Sequence, residues 1–214
     1  MNMLDLTPED KDKIVNLYKN GESLSNIPRV TNQKYSPYIA KNVLLEKGIP
    51  LRSISEANRT YIINDNIFNN IDSPEKAWAL GAFFSDGNVS TGKRHSFALS
   101  MADKDVVEKV LRLISPNTPV RINKLRERMT KISYCFRVYS VPIAQSLFRH
   151  GCIDRKTGKL VMPNINSKFY PNFILGYIDG NGTLGLYYYR QNTSFSLSIS
   201  GSPKLLSDMK IIID

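Results

Sequence analysis

The sequence predicts an α+β protein: a small three-helix domain followed by a tandem αββαββα repeat whose second copy is incomplete. Three observations carry that reading. Helix start and stop signals crowd the first 57 residues. From Pro74 onward the apolar period switches repeatedly between helical and alternating. A helix and a strand from that region then recur, in order, near the end of the chain. The 214 residues are 42% hydrophobic, enough to build a sizeable core in one large domain or two small ones. The expected division is 1–57 helical, 58–72 linker, 73–165 first repeat and 166–214 second repeat.

The N-terminal helix is announced by Leu6-Thr7-Pro8-Glu9-Asp10, with Thr7 as cap, Pro8 at the first position and acids in the first turn. Ile14, Leu17 and Tyr18 follow at helical spacing, and Asn20-Gly21 stops the run. A short segment around Ser23–Ile27 comes next. A third helix runs from Ser36 to Lys47 with Ile39, Ala40, Val43 and Leu44 as its apolar positions. These three helices resemble a helix-turn-helix DNA-binding module, in which Tyr38, Lys41, Asn42 and Arg52 would face DNA. Pro28 and the long Arg29–Tyr35 link depart from a tight turn, so a plain helical appendage is the alternative.

Residues 58–72 are rich in Asn and Asp and read as a linker. Ser73-Pro74-Glu75 starts the next helix. Ala77 to Ser85 is apolar on nearly all sides, which marks a buried helix. Its small residues Ala77, Gly81 and Ser85 are four apart and form a stripe where another backbone can approach. Ser96–Met101 alternates as a half-buried strand does, and Asp103–Leu113 returns to helical spacing. Strands at Val120–Arg128 and Ile132–Tyr139 and a helix at Pro142–His150 complete the first copy.

Tyr170–Gly180 is a second apolar helix, with Gly176 and Gly180 again four apart. Ser194–Ile199 mirrors Ser96–Met101, which pairs Phe97 with Phe195. Strands at Leu184–Arg190 and Ser194–Ser200 and a helix at Pro203–Ile213 follow. By the repeat offset, roughly 35–40 residues of the second copy are unmatched, the counterpart of the first copy's later strands. A duplication of this kind implies two-fold pseudo-symmetry about a shared interface.

Charge narrows the partner. The chain carries 29 Lys+Arg against 19 Asp+Glu, a net of +10, and residues 116–160 alone hold ten basic and two acidic groups. Such concentration points to nucleic acid. No apolar run approaches the ~18 residues of a membrane span, and the N-terminus lacks the apolar stretch of a secretory signal. Cys135 and Cys152 have no metal-ligand spacing and read as free thiols in a reducing compartment. His95 and His150 are the only histidines, which argues against histidine-based nuclease chemistry and Cys/His zinc sites. The expectation is a soluble intracellular protein, in cytoplasm or organelle matrix, with no membrane partner.

Ala79-Leu80-Gly81-Ala82-Phe83-Phe84-Ser85-Asp86-Gly87 resembles the nine-residue LAGLIDADG motif, and Ile174–Gly182 resembles its second copy. Gly151, Arg155-Lys156-Thr157, Leu160 and Pro163 precede the second motif as they do in two-motif LAGLIDADG homing endonucleases. The resemblance spans about residues 73–214. It implies two motif helices packed through their glycines beneath a saddle of strands over double-stranded DNA. The chain would then be a monomeric pseudo-dimer, or a split enzyme with a complementing chain. Arg121, Lys124, Arg126, Arg128, Lys131 and Arg137 are the strand residues expected to contact DNA. The resemblance also implies that Asp86 binds a catalytic Mg²⁺ at the negative end of its helix, hydrolysing phosphodiester bonds. The counterpart position holds Asn181, an amide that can ligate a cation but brings no charge. Lys156 is the candidate for stabilising the transition state, with Arg155 and Lys159 as rivals. Three readings of Asn181 stay open: cutting of one strand, a binding-only relic, or an introduced change. The alternative function is a non-catalytic DNA-binding protein, or an intron RNA splicing cofactor, on the same fold.

Overall fold

The structure, a computed structural model of the chain, describes residues 6–52, 61–92, 95–123, 132–189 and 192–214. The chain divides into two units, Met1–Thr60 and Tyr61–Asp214. It is mixed α+β with antiparallel sheets.

In the first unit, α1 (Pro8–Lys19), the single-turn α2 (Ile27–Val30) and α3 (Pro37–Glu46) enclose Ile14, Tyr18, Ile27, Tyr35, Val43 and Leu44. Thr7 and Asp10 form a reciprocal capping box on α1, the start that the sequence signals. The link from Arg29 to Tyr35 is ordered by chemistry that spacing does not reveal. Asn32 and Gln33 take left-handed backbone angles, and Tyr35 is fully buried. The Tyr35 hydroxyl donates to Asp10 Oδ1 at 2.5 Å, and Lys34 Nζ donates to the same oxygen at 2.7 Å. Lys34 first, then Tyr35, holds the Asp10 carboxyl far below the usual carboxylate range.

Arg52 departs from its expected role. Its guanidinium lies 4.1 Å from the Tyr18 ring centroid and donates to the carbonyl oxygens of Gly21 (3.0 Å), Tyr18 (3.1 Å) and Glu22. These bonds turn both terminal nitrogens onto the chain's own carbonyls, so the side chain ties the segment after α3 to the end of α1 instead of facing DNA. Tyr38 is 71% exposed, Lys41 is exposed and Asn42 half-buried, so those three do present an outer surface on α3.

The second unit begins earlier than its predicted helix. Ile67, Phe68 and Ile71, inside the stretch read as linker, are buried in its core. Their Asn and Asp neighbours mask three apolar residues that have no regular period. α4 (Pro74–Asp86) follows, capped by Ser73 and buried continuously from Ala79 to Ser85. Its Phe83 ring meets Phe68, Phe97 and Phe136 edge-on at 5.8–6.3 Å.

β1 (Gly87–Ser90), β2 (Ser96–Met101), β3 (Arg121–Asn123) and β4 (Ser133–Tyr139) form a sheet in the order β1-β2-β4-β3, antiparallel throughout. Val89, Phe97, Leu99, Phe136 and Val138 point to its core face. α5 (Lys104–Ile114) and α6 (Val141–Arg149) pack on that face. The strand predicted at Val120–Arg128 is described only to Asn123. Lys124, Arg126, Arg128 and Lys131 lie outside the described residues.

After a 3-10 turn at Ser167–Phe169 come α7 (Tyr170–Asn181), β5 (Gly182–Tyr189), β6 (Asn192–Ile199) and α8 (Pro203–Ile213). The order repeats α4-β1-β2-α5, but the register corrects the sequence reading. Gly87 pairs with Leu99 and Gly182 with Ile199, so the ladder matches Phe97 with Leu197, not with Phe195. A two-residue slip leaves the in-out alternation unchanged, so pattern alone could not detect it.

Candidate functional site

α4 and α7 lie side by side and parallel. The Gly176 Cα faces Trp78, Gly81 faces Phe173 and Tyr177, and Gly180 faces Ser85 and Asp86. There is no room for a side chain between them. A Cβ on Gly81 would lie 2.7 Å from the Tyr177 nitrogen and overlap the Phe173 carbonyl oxygen. A Cβ on Gly176 would lie 2.8 Å from the Trp78 carbonyl carbon and overlap its oxygen. The spacing of small residues therefore finds its physical reason in main chain packed on main chain.

Parallel packing brings the two C-terminal ends together. Each helix then runs straight into a strand, α4 into β1 and α7 into β5. Asp86-Gly87 and Asn181-Gly182 are thus not turns. Gly87 and Gly182 have ordinary negative φ, and they are required because a Cβ would press on Phe83 and Ile178 one turn back. The last carbonyls of both helices point at one place, which makes it electronegative.

Asp86 and Asn181 are the last residues of their helices. Partial burial raises the carboxyl of Asp86, which keeps an exposed edge, above its ordinary value, against the opposing pull of Lys156 and the Ser85 side chain. Lys156 is half-buried and its Nζ donates to the Phe83 carbonyl oxygen at 2.8 Å. Burial pushes its ammonium down to about 8, with Cys152 and Asp86 pulling the other way. Arg155 and Lys159, the rivals to Lys156, are exposed, and only Lys156 reaches the helix end. Cys152 beneath it is buried and its thiol is pushed up to about 12, so it stays protonated and unreactive.

Tyr177 is a member of this group that sequence reasoning missed. It is buried, and its hydroxyl donates to the Ser200 carbonyl at 2.9 Å. The signal in the sequence is a tyrosine four residues before the motif's last polar position, indistinguishable there from a core aromatic. Asp179 belongs elsewhere: it accepts from the Trp78 indole at 2.7 Å, as its different helix face suggests.

The oxygen donors here suit a hard cation such as Mg²⁺, which keeps several waters and takes one or two carboxylates together with substrate phosphate. Among the described residues no cluster of three or more His, Cys, Asp or Glu could cage a metal. Asp86 is the one charged donor that this end of the helices brings to the pair.

The outer face of the four-stranded sheet is polar. Cross-strand rows place Ser100, Cys135 and Arg121 together, then Ala98 with Arg137, then Ser96 with Tyr139. Arg121, Arg137 and Tyr139 are exposed, and Arg137 Nη1 donates to Ser96 Oγ at 3.3 Å. Asn123 is held by Ser100, Ser133 and Cys135. No helix of the described residues is long and apolar enough to cross a membrane. A scan against protein-family models gave no match for the chain, and a search of curated proteins gave none.

Proposed function

We propose that the chain is a divalent-metal-dependent DNA endonuclease of the LAGLIDADG homing type, with a tandem αββαββα architecture. The observation that carries the reading is the parallel glycine contact of α4 and α7, which ends in Asp86, Asn181 and Lys156 at one point. Nothing about a buried core requires a carboxylate at the negative end of two helices. A cation there removes the conflict.

Asp86 would hold Mg²⁺ through its carboxylate and Asn181 through its amide oxygen. When bound, the ion supplies activated water and charge stabilisation at the leaving oxygen. Lys156 brings a positive charge toward the scissile phosphate, and Arg121 and Arg137 hold the DNA backbone and bases. With one charged donor, the chain cuts one strand more readily than two. The binding-only reading, as a DNA-binding protein or intron RNA splicing cofactor, draws its support from the same Asn181.

The test is a nicking assay on supercoiled DNA from the host locus, with Mg²⁺ or with chelator. Nicking that needs Mg²⁺ and vanishes in Asp86→Asn is the expected result. If neither the natural chain nor Asn181→Asp nicks while both bind that DNA tightly, the endonuclease reading fails and the binder reading takes its place.

A further inference from the structure

A second concave site lies in the first half of the second unit, at the far end of the β1–β2 hairpin from Asp86. Asp86 leads into Gly87, where β1 starts, and the hairpin pairing ends at Ser90 with Ser96. Beyond that pair, Thr91 and His95 join Asn69 and the α6 residues Gln145, Phe148 and Arg149 around a hollow of about 510 Å³. That volume is in the range of small-molecule sites. Pro142 completes the lining, and no carboxylate is part of it.

The cation of this hollow is held in place by buried chemistry. Ser146, 0% exposed, donates through Oγ to Asn69 Oδ1 at 2.7 Å. Arg149 Nη2 donates to Ser146 Oγ at 2.9 Å and to Asn69 Oδ1 at 3.5 Å. His150 Nε2 lies 2.9 Å from the Phe68 carbonyl oxygen, which can only accept, so this nitrogen donates and ties the Asn69 segment to the end of α6. Among the described residues, Nη1 and Nε of Arg149 and the His95 ring have no hydrogen-bond partner. Phe148, in the same lining, is 45% exposed.

We infer that this hollow binds one nucleotide unit, its phosphate on Arg149 and His95 and its base against Phe148. A guanidinium fork matches phosphate oxygens, and the imidazole adds a further donor. An open aromatic ring stacks a base of any type, and the Gln145 amide and Thr91 hydroxyl supply donors and acceptors for its polar edge. A bare phosphate would leave Phe148 uncovered and most of the volume unfilled. A purely apolar acid would leave Thr91 and Gln145 without partners. The site is separate from the helix ends at Asp86 and Asn181, and the inference does not depend on the nuclease reading.

The probe is deoxyadenosine monophosphate, titrated calorimetrically into the full chain in about 0.15 M salt to screen diffuse attraction to a basic protein. Deoxyadenosine, inorganic phosphate and hexadeoxyadenylate are titrated beside it. Saturable one-to-one binding of the monophosphate is expected, at least about tenfold tighter than that of deoxyadenosine or phosphate. Arg149→Gln should remove this advantage. Because that change also breaks the bonds to Ser146 and Asn69, Gln145→Glu is the second variant. It puts a charge of the phosphate's own sign at an exposed position of α6 and leaves those bonds in place. It should weaken the monophosphate at least about tenfold and deoxyadenosine little. Lys210→Gln, an exposed cation of α8 outside the hollow, should change neither. The hexamer identifies the source: parallel loss of hexamer and monophosphate in the hollow variants assigns the nucleotide to a strand, and loss of the monophosphate alone assigns a free nucleotide. No saturable binding, equal affinity for phosphate, or the same loss in Lys210→Gln as in Gln145→Glu would overturn the inference.

Discussion

The Lys156 ammonium donates to the Phe83 carbonyl oxygen, 2.8 Å away, on the last turn of the helix that ends in Asp86. A cation there meets the negative end of the helix dipole. Burial also strips it of water, which depresses its proton affinity to about 8 although Cys152 and Asp86 pull the other way.

Lys156 should give two opposite pH dependences. Above about pH 8 the folded chain sheds this proton while the unfolded chain, with an ordinary lysine, keeps it. The unfolded state then binds more protons, so unfolding free energy rises with pH from about 8 toward the ordinary lysine range. Nicking should fall over the same interval because the charge is lost. Lys156→Arg should flatten both profiles, measured by urea titration and by initial nicking rates.

Asp86 should weigh against stability. Its raised carboxyl means the charged form is disfavoured in the folded state, so stability declines as pH rises through its titration. Asp86→Asn should raise Tm at neutral pH while abolishing metal-dependent nicking. Asn181→Asp should do the reverse, lowering Tm and increasing double-strand cleavage. Scanning calorimetry and plasmid assays on the same samples decide it.

Gly176→Ala should destabilise the second unit by on the order of 3 kcal/mol, because the new methyl overlaps the Trp78 carbonyl and backbone cannot yield cheaply. Gly92→Ala is the control. Nothing lies within 4 Å of a Cβ there and its φ is not positive, so its urea midpoint should stay at the parent value.

In the first unit, Arg52→Ala should cost on the order of 2 kcal/mol through lost carbonyl bonds, and Arg52→Lys should not restore it. Lys41→Ala should leave folding intact, weaken DNA binding, and reduce the salt slope of binding by about one. Equal effects of Arg52→Ala and Lys41→Ala on binding at matched stability would return Arg52 to the DNA surface.

Element types were legible because helices and strands here have clean periods. The Pro203–Ile213 helix and the Pro8 start are where Thr7 and the prolines put them. The glycine contact was legible because four-residue spacing has one geometric meaning on a helix. Three things were not. The burial of Ile67 and Phe68 has no period to betray it. The β5–β6 register slips by two without changing the pattern. Arg52 and Tyr177 take their roles from partners distant in sequence, Tyr18 for one and Ser200 for the other. Lys156 was separable from Arg155 and Lys159 only once burial was known.

The contact between α4 and α7 is made largely of atoms that every residue type shares. Its dimensions do not depend on which side chains clothe the outer faces. Two halves joined in this way are free to diverge: by position in the repeat Phe83 corresponds to Ile178, Phe84 to Asp179 and Asp86 to Asn181, and the helix ends still meet. Inheritance of the geometry is thereby separated from inheritance of the chemistry, so one half can lose a charge without the other losing its place.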